Sequence, residues 1–249
     1  DWSSDVCSSD LRRTSLYGVV EGQVGRDGVL TAGLQFQQGR QRSPMWGSLT
    51  LPYANGTQAE FDVSASTSQD WTRWNTTTHS AFVEYAHALT PDWELKATYN
   101  HAQGRSDTKL FYAYTLTGSL NDDNTGLYGW PYRSQGNTRS DILNLNLAGR
   151  FSAWGQRHDA VLGVSQSRQT TFSEYFAVLS SPSATLPAFP YAGDVYAEPT
   201  WGDTAVGADG VQRLTRVYGA TRLSLGERLK AIAGFNAIRL QRDGTSIYG

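Results

Sequence analysis

The segment Asp141 to Trp154, DILNLNLAGRFSAW, alternates between two kinds of side chain at every second position. The apolar set is Leu143, Leu145, Leu147, Phe151 and Ala153. The polar set is Asn144, Asn146, Arg150 and Ser152. A period of two is that of a β-strand, because successive side chains of a strand point to opposite faces of the sheet. The segment therefore predicts a strand with one apolar and one strongly polar face.

Two environments suit such a strand. In a soluble β-sandwich the apolar face meets a second sheet, whereas in an outer-membrane barrel it meets lipid and the polar face lines a wet lumen. Charged and amide side chains recur on the polar faces, as in the strand around Lys96 and the strand around Arg222. A charged row opposite an apolar row requires water on its side, which favours the barrel.

Composition excludes some classes of protein. The chain has 249 residues and no apolar run near the ~18 residues that a membrane-spanning helix needs. A mean hydropathy of -0.45 is compatible with a barrel, since half of each strand and all of each loop are polar. The net charge is -2 with scattered Lys and Arg, which argues against a nucleic-acid partner. Aromatic residues, 12% of the chain, suit membrane-interface girdles or an aromatic ligand surface.

The strand pattern predicts hairpins whose connections alternate between short and long. The predicted pairs are Thr14–Val24 with Val29–Gln38, Thr78–Leu89 with Trp93–Tyr114, Arg139–Ser152 with His158–Tyr175, and a fourth pair around Gly226 and Glu227. Asp27-Gly28 is expected to supply the positive φ of the first turn, and Pro91 to pre-set the second. The long connections are Gly39–Thr77, Thr115–Thr138 and Phe176–Val211. We expect Ile238–Gly249 to trail beyond the last strand.

Alternating short and long connections are the rule in outer-membrane barrels, with short periplasmic turns and long outer loops. The sequence therefore predicts an all-β fold, an antiparallel transmembrane β-barrel fragment of about eight long meandering strands. Long inward charged side chains need a wider lumen than eight strands can enclose. We accordingly expect an open arc of a larger barrel.

The first residues, DWSSDVCSSDL, resemble the translation of a sequencing-library adapter and lack the apolar core of a signal peptide. We expect residues 1–11 to be a disordered artefact and residues 12–249 to be a partial barrel domain. Cys7 is the only cysteine. Setting it aside removes disulfide, thiolate-metal and cysteine-nucleophile hypotheses.

Several motifs, taken in order, resemble those of one family. They are RLTRVYGATRLSLGERLKAIAGFN at 213–236, QRHDAVLG at 156–163, YGVVE at 17–21, the strand 30–37, the loop string SPMWGSLTLPYANGT, and DWTRW at 70–74. Together they resemble TonB-dependent outer-membrane receptors for ferric siderophores, in particular the hydroxamate and pyoverdine branch.

The resemblance implies a receptor and transporter in the outer membrane of a Gram-negative bacterium, energised by TonB. Its expected partners are a ferric siderophore, the TonB complex acting through an N-terminal plug domain, and outer-membrane lipid. The family's plug, TonB-engaging segment and C-terminal strands are not matched by this sequence. We therefore expect the chain to represent part of a barrel of about 22 strands.

The resemblance places ligand contacts on aromatic residues of the outer loops and upper strands. The matching residues are Trp46, Tyr53, Trp71, Trp74, Tyr112, Tyr114, Trp130 and Tyr132. A siderophore brings its iron already chelated, so the protein supplies rigid aromatic surface and hydrogen bonds, with no metal ligands and no cofactor of its own. For Tyr112 and Tyr114 a lipid-facing girdle position remains equally open. For the tryptophans, predicted to lie deep in loops, packing within the loops remains open.

Other functions are less well supported. The histidines, His79, His87, His101 and His158, show no metal-binding spacing, and no Gly-x-Ser-x-Gly nucleophile motif occurs, so no enzyme activity is predicted. Two alternatives from other classes remain. One is a passive porin or a barrel receptor for another nutrient, such as cobalamin or an oligosaccharide. The other is a secreted β-sandwich binding module, which would bury its apolar faces against a second sheet.

Overall fold

Eight antiparallel strands form one sheet, each paired with its neighbour in sequence, in the order β1 to β8. The computed structural model describes residues 10–226 and 228–247. The strands are β1 Asp10–Val24, β2 Gly28–Arg42, β3 Arg73–Thr90, β4 Trp93–Thr115, β5 Leu127–Ala153, β6 Gln156–Ser180, β7 Thr200–Ser224 and β8 Lys230–Ser246. Within these residues no helix is long and apolar enough to span a membrane. The predicted all-β meander is confirmed.

Strands extend further than the apolar pattern predicts. The long connections shrink to residues 43–72, 116–126 and 181–199, and Ile238, expected beyond the last strand, lies inside β8. The prediction that Ile238–Gly249 trails off is therefore wrong as far as Ser246, and Tyr248 and Gly249 lie outside the described residues. Backbone pairing sustains these extensions, and in stretches such as residues 39–42 both faces carry polar side chains, so that apolar periodicity gives no signal there.

The short connections all lie at one end of the sheet, which we call the turn end; the opposite end is the loop end. The turn at Pro91 and Asp92 is confirmed. In the first hairpin the positive φ lies at Gly25 (70°), so its assignment to Asp27-Gly28 is wrong. Trp154 and Gly155, with φ of 53° and 71°, make the two-residue turn that matches the twist of paired strands.

The apolar face of the sheet is more exposed than the polar face. Leu143 and Leu145 are 53% and 42% exposed, whereas their neighbours Asn144 and Asn146 are half-buried. We call the face with Leu143 the outer face and the face with Asn144 the inner face. The described residues form a single sheet, so no second sheet covers the outer face, and the β-sandwich alternative is wrong. An uncovered apolar face is the arrangement of a sheet that meets lipid.

The outer apolar residues form a band that crosses the sheet in steps. Leu16 and Phe36, which pair in register, form the upper edge of the band on β1 and β2. The residues in register with them on the next three strands are polar: His79, Gln103 and Arg139. On the last strands the upper edge has fallen to Val217 and its partner Ala237. Strands of a barrel tilt against its axis, so a band of constant height must cross the register rows in this way. The stepped band is the geometry expected of tilted transmembrane strands.

Residues 1–9 of the predicted artefact lie outside the described residues, and Cys7 with them. The last two residues of the predicted artefact belong to the sheet. Asp10 and Leu11 begin β1 and pair with Arg42 and Gln41. Disorder is therefore wrong for these two positions.

One glycine on the inner face permits a side chain to cross three strands. Gly163 lies between Asn146 and Tyr218 in register, and the Tyr218 hydroxyl donates to Asn146 Oδ1 above it. A Cβ on Gly163 would lie against the Tyr218 ring and 2.6 Å from Asn146 Oδ1. The glycine is needed for this close approach.

Gly163→Val should displace Tyr218 and destabilise the barrel by about 1–3 kcal/mol, because it overpacks a filled site. Gly104→Val is the matched control, since a Cβ there meets nothing closer than 3.9 Å. Urea unfolding of each variant, made in the full-length protein and held in detergent, measures the difference. Equal stability of the two variants would contradict the crossing contact.

Candidate ligand-binding surface

The hairpin of β4 and β5 projects beyond its neighbours at the loop end. Pairing of β3 with β4 ends at Arg73 and Lys109, but β4 and β5 remain paired up to Thr115 and Leu127. Loop residues occupy the free edges of this extension. Trp46 bridges to Tyr112 on one side, and Thr185 bridges to Tyr128 on the other. The projecting hairpin is therefore part of a wider wall.

Six aromatic rings share the inner face of this extension. Tyr112 lies opposite Trp130 and Tyr114 opposite Tyr128, because alternate positions of paired strands point the same way. We call the six residues the aromatic wall: Trp46, Tyr112, Tyr114, Tyr128, Trp130 and Tyr132.

Ring contacts connect the aromatic wall from end to end. The Trp46 ring centroid lies 5.4 to 5.8 Å from those of its three neighbours, which are Tyr112, Trp130 and Tyr132. Tyr112 and Tyr114 stack at 5.9 Å, and Tyr114 reaches Tyr128 at 6.1 Å. Trp130 is 51% exposed and the other five are half-buried. The wall thus offers a connected aromatic surface whose rings hold each other in place.

The opposite face of the same hairpin is packed into a hydrophobic core. Phe111, next to the wall residue Tyr112 on β4, is fully buried there. The core also contains Ala59, Ala113, Leu120, Leu127, Leu186, Phe189 and Tyr196. Three loops contribute to it, so the wall is backed by packed side chains rather than by solvent. Such backing restricts wall motion and lowers the entropy lost on ligand binding.

Two of those loops are joined behind the wall by buried hydrogen bonds. The Gln69 side chain accepts from the Tyr196 backbone N–H at 2.9 Å, and the Trp71 indole donates to the Tyr196 carbonyl at 2.8 Å. Asp70 N donates to Gly193 O at 2.7 Å. We call this junction of the β2–β3 and β6–β7 loops the clasp.

A charged pair lies beside the clasp. Lys109 on β4 contacts Glu198 in the β6–β7 loop, and the Trp201 indole donates to the same carboxylate at 2.9 Å. Burial works to raise the pKa of Glu198, but the hydrogen bonds from Lys109 and Trp201 outweigh it and hold that pKa below the usual glutamate value. The carboxylate is therefore charged at neutral pH and ties the loop to the strand.

The predicted site residues separate into three groups. The aromatic wall contains five of them, Trp46, Tyr112, Tyr114, Trp130 and Tyr132. Tyr112 and Tyr114 point to the inner face, so a lipid-facing girdle position is wrong for both. Tyr132 and Trp130 lie on β5, not in a loop. A role in ligand binding stays a prediction for all five.

The other three lie apart from the wall. Tyr53 donates its hydroxyl to Asn124 at 2.5 Å and packs against the hydrophobic core, and Trp71 belongs to the clasp. Both residues stabilise the loops behind the aromatic wall. Trp74 was expected deep in a loop but is the second residue of β3, on the inner face and 41% exposed. Tyr128 was missed, although Tyr128, Trp130 and Tyr132 alternate with period two.

The histidines and acidic residues offer no metal site in residues 10–226 and 228–247, where no three metal-binding side chains cluster. His158 has a structural role at the turn end. Its imidazole is buried, with Nδ1 accepting from Ser224 N and Nε2 facing the Ala153 carbonyl, both at 3.0 Å.

Gln69→Ala should loosen the clasp, because it leaves the buried Tyr196 N–H without an acceptor at a cost of about 1–3 kcal/mol. The β2–β3 and β6–β7 loops should then be cut faster by protease at temperatures where the strands stay protected. Gln58→Ala, an exposed position in the same loop, is the control. Identical cleavage rates for the two variants would show that the clasp does not hold the loops.

Comparison with known proteins gives ferric-pyoverdine receptors among the relatives. No protein-family model matches the chain. The ferric-pyoverdine BN7/BN8 receptor of Pseudomonas putida is 27% identical over 234 residues, covering 92% of this chain and 28% of the receptor. The ferripyoverdine receptor of Pseudomonas aeruginosa is 24% identical and covers 90% of this chain and 27% of its own length. The chain thus spans less than a third of these relatives.

Solved structures share the fold. The ferripyoverdine receptor of the Pseudomonas aeruginosa outer membrane, bound to ferripyoverdine, superposes with a TM-score of 0.84 at 22% identity, over 95% of this chain and 31% of that one. The ferric preacinetobactin receptor of Acinetobacter baumannii gives 0.73 at 12% identity, over 95% and 34%. The predicted resemblance to siderophore receptors is confirmed, and the sheet has the fold of one arc of their barrels.

Proposed function

We propose that the protein is an outer-membrane receptor and transporter for ferric siderophores, of which residues 12–249 supply part of the barrel. Pyoverdine-type chelates are the ligand class, since the curated relatives are named for them. TonB energises transport through a plug domain carried elsewhere in the receptor. The observation that carries the proposal is the aromatic wall at the loop end of a sheet whose apolar band is exposed on the outer face.

The wall suits a bulky, preformed chelate. The iron of such a ligand is already coordinated, so the receptor needs shape, ring faces and hydrogen-bond donors rather than ligating side chains. Tyrosine and tryptophan supply large contact area with few rotatable bonds, and their O–H and N–H groups can meet polar groups of the chelate. Because the wall is backed by the hydrophobic core and the clasp, it is already ordered before the ligand arrives.

The inner face below the wall supplies a polar surface for the ligand's passage. Lys96 and Glu84 pair at 2.8 Å on this face, and Arg222 contacts Asp159 at 2.6 Å. Paired charges remain hydrated in a wet lumen and leave no strong site at which a chelate would be trapped. The plug domain, rather than the barrel, then opens the path for the ligand through the lumen.

A passive porin is the competing function. A porin has no plug domain, so reading the coding sequence upstream of residue 12 separates the two. A plug with a TonB-engaging segment supports the receptor. A signal peptide followed directly by barrel strands would move the protein to the porin class.

Trp46→Ala and Trp130→Ala, each made in the complete receptor, should weaken binding of ferric pyoverdine by about 1–3 kcal/mol, the loss typical of an aromatic side chain that a bound ligand covers. The matched control is Trp154→Ala, because Trp154 lies at the turn end and is 81% exposed. Affinity is measured by titrating the purified receptor with the chelate and following its fluorescence. Wild-type affinity in both wall variants would remove the wall from the binding site.

Trp74→Ala tests how far the ligand surface extends. Trp74 shares the inner face with the wall and pairs with Thr108, four residues from Tyr112 along β4, or about 13 Å at 3.3 Å per residue. A loss of affinity similar to that of Trp46→Ala would extend the site down the inner face. Unchanged affinity would confine the ligand to the wall.

A further inference from the structure

The inner face of β3 to β7 carries few charges between the aromatic wall and the turn end. On β3 to β6 most of these positions are serine, threonine, asparagine or glutamine, as at Thr98, Ser140 and Gln169. Apart from Arg216, the charged residues described below the wall on this face all lie near the turn end: Glu84, Glu94, Lys96, Arg150, Arg157, Asp159 and Arg222. We call the inner surface between the wall and these residues the neutral tract. Arg216 is its one charged residue in the described part of the chain.

Arg216 also differs from the turn-end cations in its partners. Each of those cations has a carboxylate within ion-pair distance, as Lys96 has Glu84 and Arg222 has Asp159. In residues 10–226 and 228–247 no carboxylate lies within that distance of Arg216. Its side chain is half-buried, and its Nε atom is buried without a hydrogen-bond partner in the same residues. A guanidinium that loses hydration without gaining an anion is destabilising, so this side chain is expected to accept an anion from elsewhere.

The ring of Tyr218 fixes the position of the guanidinium group. The Arg216 Cζ atom lies 4.7 Å from the ring centroid, which is a cation–π distance. Tyr218 is itself held by its hydrogen bond to Asn146 across Gly163. A ring face contacts the guanidinium without using its N–H donors. The terminal nitrogens of Arg216 are therefore able to bind a carboxylate through paired hydrogen bonds.

Arg216 lies where the membrane-spanning part of the lumen begins. It directly precedes Val217, which is at the upper edge of the apolar band on β7. In register, Arg216 is joined through Ser165 to Asn144 on β5. Asn144 is twelve residues below Tyr132 of the wall, or about 40 Å along the strand. A ligand held at the wall therefore reaches Arg216 only after it has left the wall and moved down the inner face.

A single cation on a neutral surface distinguishes ligands by their charge. Hydroxyl and amide groups both donate and accept hydrogen bonds, so the rest of the neutral tract does not select for either sign. A positive charge in a cleft with low-dielectric walls attracts anions, and no carboxylate of the described tract competes for it. Because the guanidinium is only half-buried, its attraction for an anion is weak enough to permit release.

We propose that Arg216 binds a carboxylate group of the chelate during its passage through the lumen, so that the receptor imports chelates with a free carboxylate faster than uncharged analogues. Arg216 acts after capture at the aromatic wall and determines the rate of passage, not the affinity of capture. This inference rests on the proposed function, because it needs a ligand that moves from the wall toward the turn end.

The test compares two forms of ferric pyoverdine, one with a free side-chain carboxylate and one in which that group has been converted to a carboxamide. Each form is bound to de-energised cells that carry the complete receptor, unbound chelate is washed away, and entry of radioactive iron is followed after energy is restored. In wild type the carboxylate form should enter faster by up to about fivefold, the effect of one hydrated ion pair. Arg216→Gln should slow the carboxylate form to the rate of the carboxamide form. Arg216→Lys, which keeps the charge, should retain most of the preference.

The matched control is Arg239→Gln, which removes an exposed positive charge from the outer face of β8, in register with Thr215. It should keep the wild-type ratio of the two rates. The affinity of the receptor for both forms should be the same in all variants, and a lower affinity in Arg216→Gln would place Arg216 in the capture site and overturn the inference.

Two other results would also overturn it. One is a wild-type preference that persists in Arg216→Gln. The other is equal slowing of both forms in that variant, which would indicate that Arg216 contacts the plug domain instead of the ligand. A wild-type receptor that imports both forms at one rate refutes this inference alone, whereas one that binds and imports neither form refutes the proposed function and this inference with it.

Discussion

The structure depends on hydrogen bonding between strands in a sheet whose apolar band has no protein partner. In water such a sheet would expose a leucine-rich surface, and in lipid its inner face would strand amides and charges. Only a boundary between lipid and water satisfies both faces at once. Leu143 and Asn144 illustrate this constraint, because they are adjacent in sequence and their side chains point to opposite faces of the sheet. The stepped apolar band, the turn end and the loop end all follow from it.

At the loop end, the hairpin of β4 and β5 lies in a different environment. Above the membrane both faces of β4 and β5 meet water, and the loops supply the missing core. Phe111 is buried behind the hairpin while Tyr112 faces the opposite way, so one strand position supports the next. Within the membrane, alternate side chains of a strand thus face either lipid or the lumen. Above the membrane, alternate side chains of β4 and β5 either pack in the core or face the ligand.

The sequence predicted the parts of the fold that periodicity and turn chemistry determine. Strand pairs, faces and the Pro91 turn were correct because each depends on neighbours in sequence. The sequence predicts a loop for the upper extension of β5 because Gly129 and Pro131, residues typical of turns, stand between its alternating aromatic residues. The sequence does not show that Trp71 lies outside the aromatic wall, because its hydrogen-bond partner Tyr196 comes from a loop far along the chain. Contacts between distant loops leave no local signal.

The most direct test of the account is the environment of the two faces. Leu143→Cys and Asn144→Cys, made in the complete receptor with Cys7 absent and labelled with a fluorophore after unfolding, place one probe on each face of β5. In reconstituted vesicles, lipids carrying brominated acyl chains should quench the label at 143 strongly and the label at 144 little. A water-soluble quencher should give the reverse order. Equal quenching at both positions, or stronger lipid quenching at 144, would contradict a lipid-facing outer surface and with it the barrel.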